Sequence, residues 1–358
     1  MSTARMFNLA LYAAGLLLFV YLVRSSGLTW SMVTEVGWAA PALLVVIYTL
    51  VALLDALAWY VVARPAYAPS VGGLLVLRTG GESLTNGLPG GVVFGEAYKA
   101  VMLKRWYGTP YAASAPSLMA LKFALGYSQA AFIVGGLALC YGLLRERSVE
   151  LTGVPGLHWI SLAVIVAMCL FMAVPLLLHA RGRSFAGLAR SLARLRWAAL
   201  RGWLEARAPA FEQLDRGVGE VLGRERGRLL AAFGLSLLRW LMSVSEAYII
   251  LWAIGLEPSL ATAFAIEAVG SAFRLVFFLV PSGIGGVDAS IFALFKLYGL
   301  SSPAAGLFIV LKRLRELAWI GVGLALVAVT RGVKAPVPTT LSSGVSAPIS
   351  PHGEPTHV

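Results

Sequence analysis

The stretch PAAGLFIVLKRLRELAWIGVGLALVAVTR, residues 303–331, has the length and apolar character of a membrane-spanning helix, yet Lys312, Arg313, Arg315 and Glu316 stand in its middle. A cation at bilayer centre costs from about 2.5 kcal/mol on insertion scales to far more on an isolated helix, so such residues face a partner or a wet cavity. Just upstream, VPSGIGG at residues 280–286 cannot continue a helix. It leaves backbone donors open beside those cations. Together they read as an anion site inside a membrane, with Gly283, Gly285 and Gly286 supplying the backbone approach.

The rest of the chain agrees with a membrane. Of 358 residues 59% are hydrophobic and 13% charged, against roughly 25% charged in a soluble domain, and the mean hydropathy is +0.80. The fold class that follows is all-α, a polytopic transmembrane helix bundle. Apolar runs near residues 7–23, 38–63, 116–144, 157–179, 229–254, 259–280 and 303–330 give seven spans at about 20 residues each. An eighth follows if 281–300 crosses rather than re-enters. The first run is expected to be retained as an anchor, because Val23-Arg24-Ser25-Ser26 puts a charge where a signal peptide has its cleavage site. Residues 1–334 therefore form one transmembrane domain. From 335 to 358 Pro, Ser, Thr and Gly dominate, and a disordered tail is expected. Cys140 and Cys169 lie in apolar runs and read as buried free thiols.

A net charge of +12 raises the question of nucleic acid, but its distribution answers it. Residues 181–228 hold eleven arginines against five acids, a net of +6 in one loop. The positive-inside rule puts loop 180–228 and the N-terminus in the cytoplasm and the protein in the cell inner membrane. Within the loop Leu188, Leu192, Leu195, Ala199 and Trp203 share one helical face opposite Arg183, Arg190, Arg194 and Arg201. That segment is expected to lie along the inner leaflet. No nucleic-acid partner is expected.

The chain also repeats itself. Leu88-Pro89-Gly90-Gly91, Gly95-Glu96-Ala97 and Trp106-Tyr107-Gly108 are followed by Leu121-Lys122 and by Gly135-Gly136-Leu137-Ala138-Leu139. The same order recurs as Val280-Pro281-Ser282-Gly283, Val287-Asp288-Ala289, Leu297-Tyr298-Gly299, Leu311-Lys312 and Gly321-Val322-Gly323-Leu324-Ala325-Leu326. Two pseudo-repeats follow, each with a Pro/Gly break before a half-helix of about 12 residues, too short to span. Helix N-termini bind anions, and paired broken helices near the midplane are a transporter device. Glu96 and Asp288 occupy matching first-turn positions, where an acid either steadies the dipole or serves a headgroup or a proton.

Further charges fall inside apolar runs: Asp55, Arg239, Glu246, Glu267 and Arg274. Arg239 and Glu246, like Glu267 and Arg274, are seven residues apart, about 10 Å along a helix and too far to bond directly, so they either form ion pairs with other helices or line a polar translocation groove. Asp55, near the end of its run, reads as a capping or snorkelling residue. Lys312 and Glu316, four apart, are placed to neutralise each other. The four histidines have no metal spacing, Gly283-x-Gly285 lacks the rest of a dinucleotide fingerprint, and no nucleophile stands with a base. No cofactor and no enzymatic activity are expected.

The pattern Pro-Gly-x-x-x-x-Gly-Glu-x-x-Lys at 89–99, with Pro-x-Gly-x-Gly-Gly-x-Asp at 281–288 and a cation in the next helix, resembles the lysylphosphatidylglycerol synthase transmembrane region, a flippase-like family. The resemblance covers most of residues 5–330. It implies a unit that moves or holds lipids with charged headgroups, without the aminoacyl-transferase domain of the synthases. Where that family commonly carries a Glu-Arg pair, Leu121-Lys122-Phe123-Ala124-Leu125 keeps only the cation. Arg313 corresponds best to the family's helix cation. The expected substrate-binding set is Gly90, Gly91, Glu96, Lys99, Lys122, Gly283, Gly285, Gly286, Asp288, Lys312, Arg313, Arg315 and Glu316, around an anionic phospho- or glycolipid headgroup. The rival readings are a non-transporting accessory protein that binds lipid or a partner enzyme of lipid biosynthesis, and a lipid-modifying enzyme.

Overall fold

The computed structural model describes residues 3–63, 69–88, 91–109, 111–153, 155–181, 226–277 and 280–332, with a few isolated positions between 184 and 212. Gly90, the expected amphipathic segment of the loop and the expected tail at 335–358 lie outside them. The described residues form helices and no strand: α1 (Thr3–Ser25), α2 (Trp30–Glu35), α3 (Ala39–Ala63), α4 (Val71–Gly87), α5 (Gly91–Tyr107), α6 (Tyr111–Thr152), α7 (Leu157–Ala180), α8 (Arg226–Ala253), α9 (Leu260–Val276), α10 (Gly286–Leu297) and α11 (Ser302–Thr330). Serines begin three of them. The hydroxyls of Ser70, Ser259 and Ser301 accept from the amides of Gly73, Thr262 and Ala304, at 3.1, 3.0 and 3.4 Å. Each satisfies one of the orphan donors of a first turn.

Helices α3 and α8 form the axis of the bundle and run antiparallel. Leu44 near the start of α3 shares a core cluster with Val244 to Leu251, whereas Ala56 to Ala63 share another with Ala232 near the start of α8. Around this axis α1, α6, α7 and α11 also run from end to end. The starts of α1 and α8 and the ends of α7 and α11 therefore lie at one end, with the arginine-rich loop. At the other end Trp30, Trp38, Trp159 and Trp252 are exposed, as in an interfacial aromatic belt. Four helical stretches, Ala39–Ala63, Ser117–Arg147, Leu157–Ala180 and Arg226–Ala253, are long and apolar enough to cross a membrane. Outward-facing Leu17, Leu230, Val276 and Val329 are largely exposed, which suits lipid and not water.

Apart from the short α2, the remaining helices make two hairpins that enter from opposite ends. Helix α4 starts beside the end of α3 and α5 returns antiparallel to it, so that Ser70 and Tyr107 stand 3.5 Å apart at the open end. Helix α9 starts beside the end of α8, breaks after Val276, and α10 returns. The tips meet inside the bundle, where the Ser282 hydroxyl donates to the Asn86 carbonyl at 3.2 Å. Residues 259–280 were expected as a full span; among the described residues the helix ends at Val276 and α10 turns back toward the end from which α9 starts. The half-helix α10 has the expected 12 residues, whereas α5 has 17.

The repeat in the sequence is an inverted one in space, α3–α6 against α8–α11, because α3 and α8 oppose each other. Each hairpin's entering helix crosses the last helix of the other half. Helix α4 lies on α11, where Gly323 fits against Ser83 and the Thr79 carbonyl. Helix α9 lies on α6, where Gly136 fits against Ala268 and Gln129 donates to Ser271 at 2.9 Å. The twice-written Gly-Leu-Ala-Leu motif thus marks the two crossing points, where only a missing side chain lets the backbones approach.

Candidate functional site

Helix α11 carries its four charges over a little more than one turn, and each faces a different neighbour. Lys312 pairs with Glu267 on α9. Arg313 donates to both carboxylate oxygens of Asp288 on α10 at 2.9 to 3.0 Å and to Glu316 at 2.6 Å. Arg315 holds Glu246 on α8 through two bonds of 2.6 and 2.9 Å, with its guanidinium 4.2 Å from the Tyr48 ring centre on α3. Glu316 also faces Arg274 on α9 at 3.7 Å. The pairing expected between Lys312 and Glu316 does not form, since Lys312 is taken by Glu267 on α9 and Glu316 by Arg313 on its own helix.

The network continues through α3, α4 and α8. Arg78 bonds Asp55 at 2.5 and 3.0 Å and Glu82 at 2.5 Å, while Arg239 reaches Asp55 at 3.2 Å. Tyr48 donates to Glu82 at 3.4 Å. Asp55, expected to cap or snorkel, is instead buried between two guanidiniums. Arg239, Glu246, Glu267 and Arg274 do find their partners on other helices. The whole set is balanced: Arg78, Arg239, Arg274, Lys312, Arg313 and Arg315 against Asp55, Glu82, Glu246, Glu267, Asp288 and Glu316. Buried ions are tolerated when each is paired and hydrogen-bonded, and arginine's planar fork suits the two-pronged pairs.

All of these charges except Asp55 and Arg78 line a cavity of about 90 Å³ between the two halves, room for roughly three waters. Asp288, Lys312, Arg313, Arg315 and Glu316 all border it, joined by Tyr48, Glu82 and Arg274. The counter-charge that the sequence left missing beside Arg313 is therefore supplied by protein carboxylates.

The glycines serve another purpose. Ser282, Gly283 and Gly285 adopt φ of 54, 62 and 83° to turn the chain between α9 and α10, which only a residue without a side chain does at no steric cost. Gly285 rests on the backbone of Gly15 in α1, Gly286 under the Phe277 ring, and Gly91 on the Leu84 and Thr85 carbonyls. Moreover the Gly285 amide already donates to Asp288 at 2.8 Å. The expected convergence of both half-helix N-termini on one headgroup is not what the structure holds: the described glycines Gly91, Gly283, Gly285 and Gly286 do not border the cavity.

Glu96, Lys99 and Lys122 form a cluster of their own. Glu96 accepts from Lys99 at 2.9 Å and from Lys122 at 2.6 Å. It mirrors the second half, since Glu96 and Lys122 are 26 residues apart and Asp288 and Arg313 are 25 apart. The copies differ in burial. The Lys122 side chain is 50% exposed against 10% for Arg313, so the first cluster is open at one side and the second nearly closed.

Sequence reading missed Arg78 and Glu82 because helix α4 was not expected at all, and Tyr48 because nothing local sets one tyrosine apart within the expected span 38–63. Its Gly72, Gly73, Gly80, Gly81, Arg78 and Glu82 suppress the apolar signal. The visible clues were the Pro69-Ser70 start, repeated at Pro258-Ser259, and the Arg78/Glu82 spacing of four.

Residues 6–325 match the family model described as the lysylphosphatidylglycerol synthase TM region. A UPF0104 membrane protein of Methanothermobacter thermautotrophicus is 30% identical over 101 residues, covering 27% of this chain and 30% of that protein. The match thus spans less than a third of that relative's length. No solved structure matches the chain.

Proposed function

Because the chain belongs to the lysylphosphatidylglycerol synthase transmembrane-region family, we propose that it moves a lipid with an anionic phosphate-bearing headgroup between leaflets of the cell membrane. The observation that carries this reading is the charge-lined cavity at the meeting point of two hairpins that enter from opposite ends of an inverted repeat. In transporters such repeats rock against each other around a midplane site. A cavity for a few waters is smaller than a headgroup, so passage requires the tips to part while the acyl chains stay in the bilayer.

A phosphate enters a balanced network by taking a carboxylate's place. Arg274 is the cation best disposed for this, with a side chain 44% exposed and, among the described residues, a single ion pair, the 3.7 Å approach of Glu316. Arg313, bound on three sides, holds the second hairpin to α11. In this reading six helices cross the membrane, α1, α3, α6, α7, α8 and α11, and the hairpins each enter halfway. Lys104, Arg105, Arg181, Arg226, Arg228 and Arg331 fall at the end bearing the arginine-rich loop, which by the positive-inside rule supports a cytoplasmic location for that end and the N-terminus. The reading assigns no covalent chemistry to the chain.

Vesicles reconstituted with the pure protein are expected to expose inner-leaflet fluorescent phosphatidylglycerol faster than empty vesicles. Arg274→Ala is expected to lower that rate about 10- to 100-fold, the loss of one charge-assisted hydrogen-bonded contact of about 1.5–3 kcal/mol, with the thermal unfolding profile kept. Folded wild-type protein that never accelerates exchange, with or without an ion gradient, gives the case to the accessory reading. Orientation is checked separately by impermeant maleimide after both native cysteines are replaced. Trp38→Cys is expected to label in intact cells and Gly202→Cys only after lysis; the reverse pattern inverts the topology.

A further inference from the structure

A second cavity, of about 500 Å³, lies between α6, α7 and α8 and shares no lining residue with the charged one. Its walls are apolar: Phe123 and Tyr127 on α6, Met172 and Leu176 on α7, Leu230 and Phe233 on α8. Leu176 and Leu230 are exposed, so it opens sideways to the bilayer. The sequence provides a cause. Pro175 stands inside α7, and a proline within a helix removes a hydrogen bond and bends it.

Two basic side chains complete the lining, His179 in the last turn of α7 and Arg226 at the first residue of α8. Each is seven residues from the deepest apolar position on its own helix, Met172 and Phe233 respectively, and so about 10 Å away along the axis. That is about two-thirds of one leaflet of a hydrocarbon core roughly 30 Å thick. The basic pair thus stands at headgroup level and the apolar walls at the depth of the upper acyl chain. Both residues border the arginine-rich loop, which biases the same surface toward anions. Apolar walls open to the bilayer favour a lipid chain over water, and lipid chains alone give no selectivity in a membrane. The basic pair supplies it.

We propose that this cavity binds one acyl chain of an anionic phospholipid from the leaflet on the side of the arginine-rich loop, its phosphate resting on Arg226 and His179. The site is separate from the translocation cavity and depends only on the protein's place in the membrane. A bound lipid there fills the gap between α7 and α8 and holds α8, the axis of the second half, against α6.

The test uses the full chain in phosphatidylcholine vesicles containing a small, equal fraction of phosphatidylglycerol or phosphatidylcholine with a diazirine midway along one acyl chain. After illumination, mass spectrometry reads labelling of the peptides carrying Met172 and Phe233. Phosphatidylglycerol is expected to label them about fivefold more than phosphatidylcholine, and the double variant His179→Gln/Arg226→Gln is expected to remove the difference. Ala124→Phe, which fills the buried wall, is expected to abolish labelling by both lipids. Equal labelling of the wild type by the two lipids marks an unselective seam and overturns the proposal, as does a phosphatidylglycerol preference that survives the double variant. No transport is measured, so a failure here leaves the translocation reading untouched, and a failure of flipping leaves this one.

Discussion

Arg313→Ala is expected to destabilise the folded protein by about 3–5 kcal/mol, the cost of leaving buried carboxylates without their cation. Asp288 is only 2% exposed and receives two hydrogen bonds from the guanidinium through one oxygen and one through the other. Glu316 loses its 2.6 Å partner at the same time, which leaves Arg274 at the longer distance of 3.7 Å. The Ser282 carbonyl, which accepts from the same guanidinium at 3.2 Å, is released as well. Removing one arginine therefore unties the tip of the second hairpin, the α10 start and α11 together. A double-mutant cycle separates this from loss of bulk: Arg313→Gln with Asp288→Asn is expected to cost at least 1 kcal/mol less than the sum of the single changes, within the range for contacting residues. Unfolding in detergent with no anionic lipid present is the measurement. A stable Arg313→Ala protein that unfolds like wild type, and gains nothing from its carboxylates, would show that the pairs in the structure carry no weight.

The second large effect separates two glycines two residues apart. Gly323→Leu is expected to cost about 3 kcal/mol, the upper range for overpacking, because a Cβ there comes within 2.6 Å of the Thr79 carbonyl oxygen, which is backbone and cannot move aside. Gly136→Leu, at the matching crossing in the first half, is expected to do the same against Ala268. Gly321→Leu, by contrast, meets nothing within 4 Å and is expected to be neutral or to stabilise by up to about 1 kcal/mol through helix propensity. Thermal unfolding of the three variants, each measured for monodispersity, decides it. Equal effects at Gly321 and Gly323 would mean that the repeated motif does not mark a crossing. The same comparison bears on transport, since the crossings join each half's hairpin to the other half and any rocking motion bends around them.

Much of this was open to reading in the chain itself. Runs of apolar residues set the helices because a membrane offers backbone groups no other partner than their own helix. The positions of Asp288, Arg313 and Glu316 in such runs announced that they needed partners. The duplicated Pro/Gly breaks and Gly-Leu-Ala-Leu motifs announced two related halves. These are local signals, fixed by what each residue costs in lipid wherever its neighbours lie.

What the sequence did not contain was who meets whom. Whether the repeats run parallel or inverted depends on the antiparallel packing of α3 and α8, and no single residue in either helix states it. Arg313 read as a cation awaiting a phosphate, yet in the folded chain Asp288 and Glu316 occupy its fork. Asp55 read as a cap until Arg78, on an unforeseen helix, and Arg239, 184 residues away, closed on it. The glycines of the breaks read as room for a ligand and serve as room for other helices. The reason is physical: lipid dictates the cost of a buried charge or an open amide residue by residue, but the partner that cancels the cost comes from whichever helix the packing brings alongside.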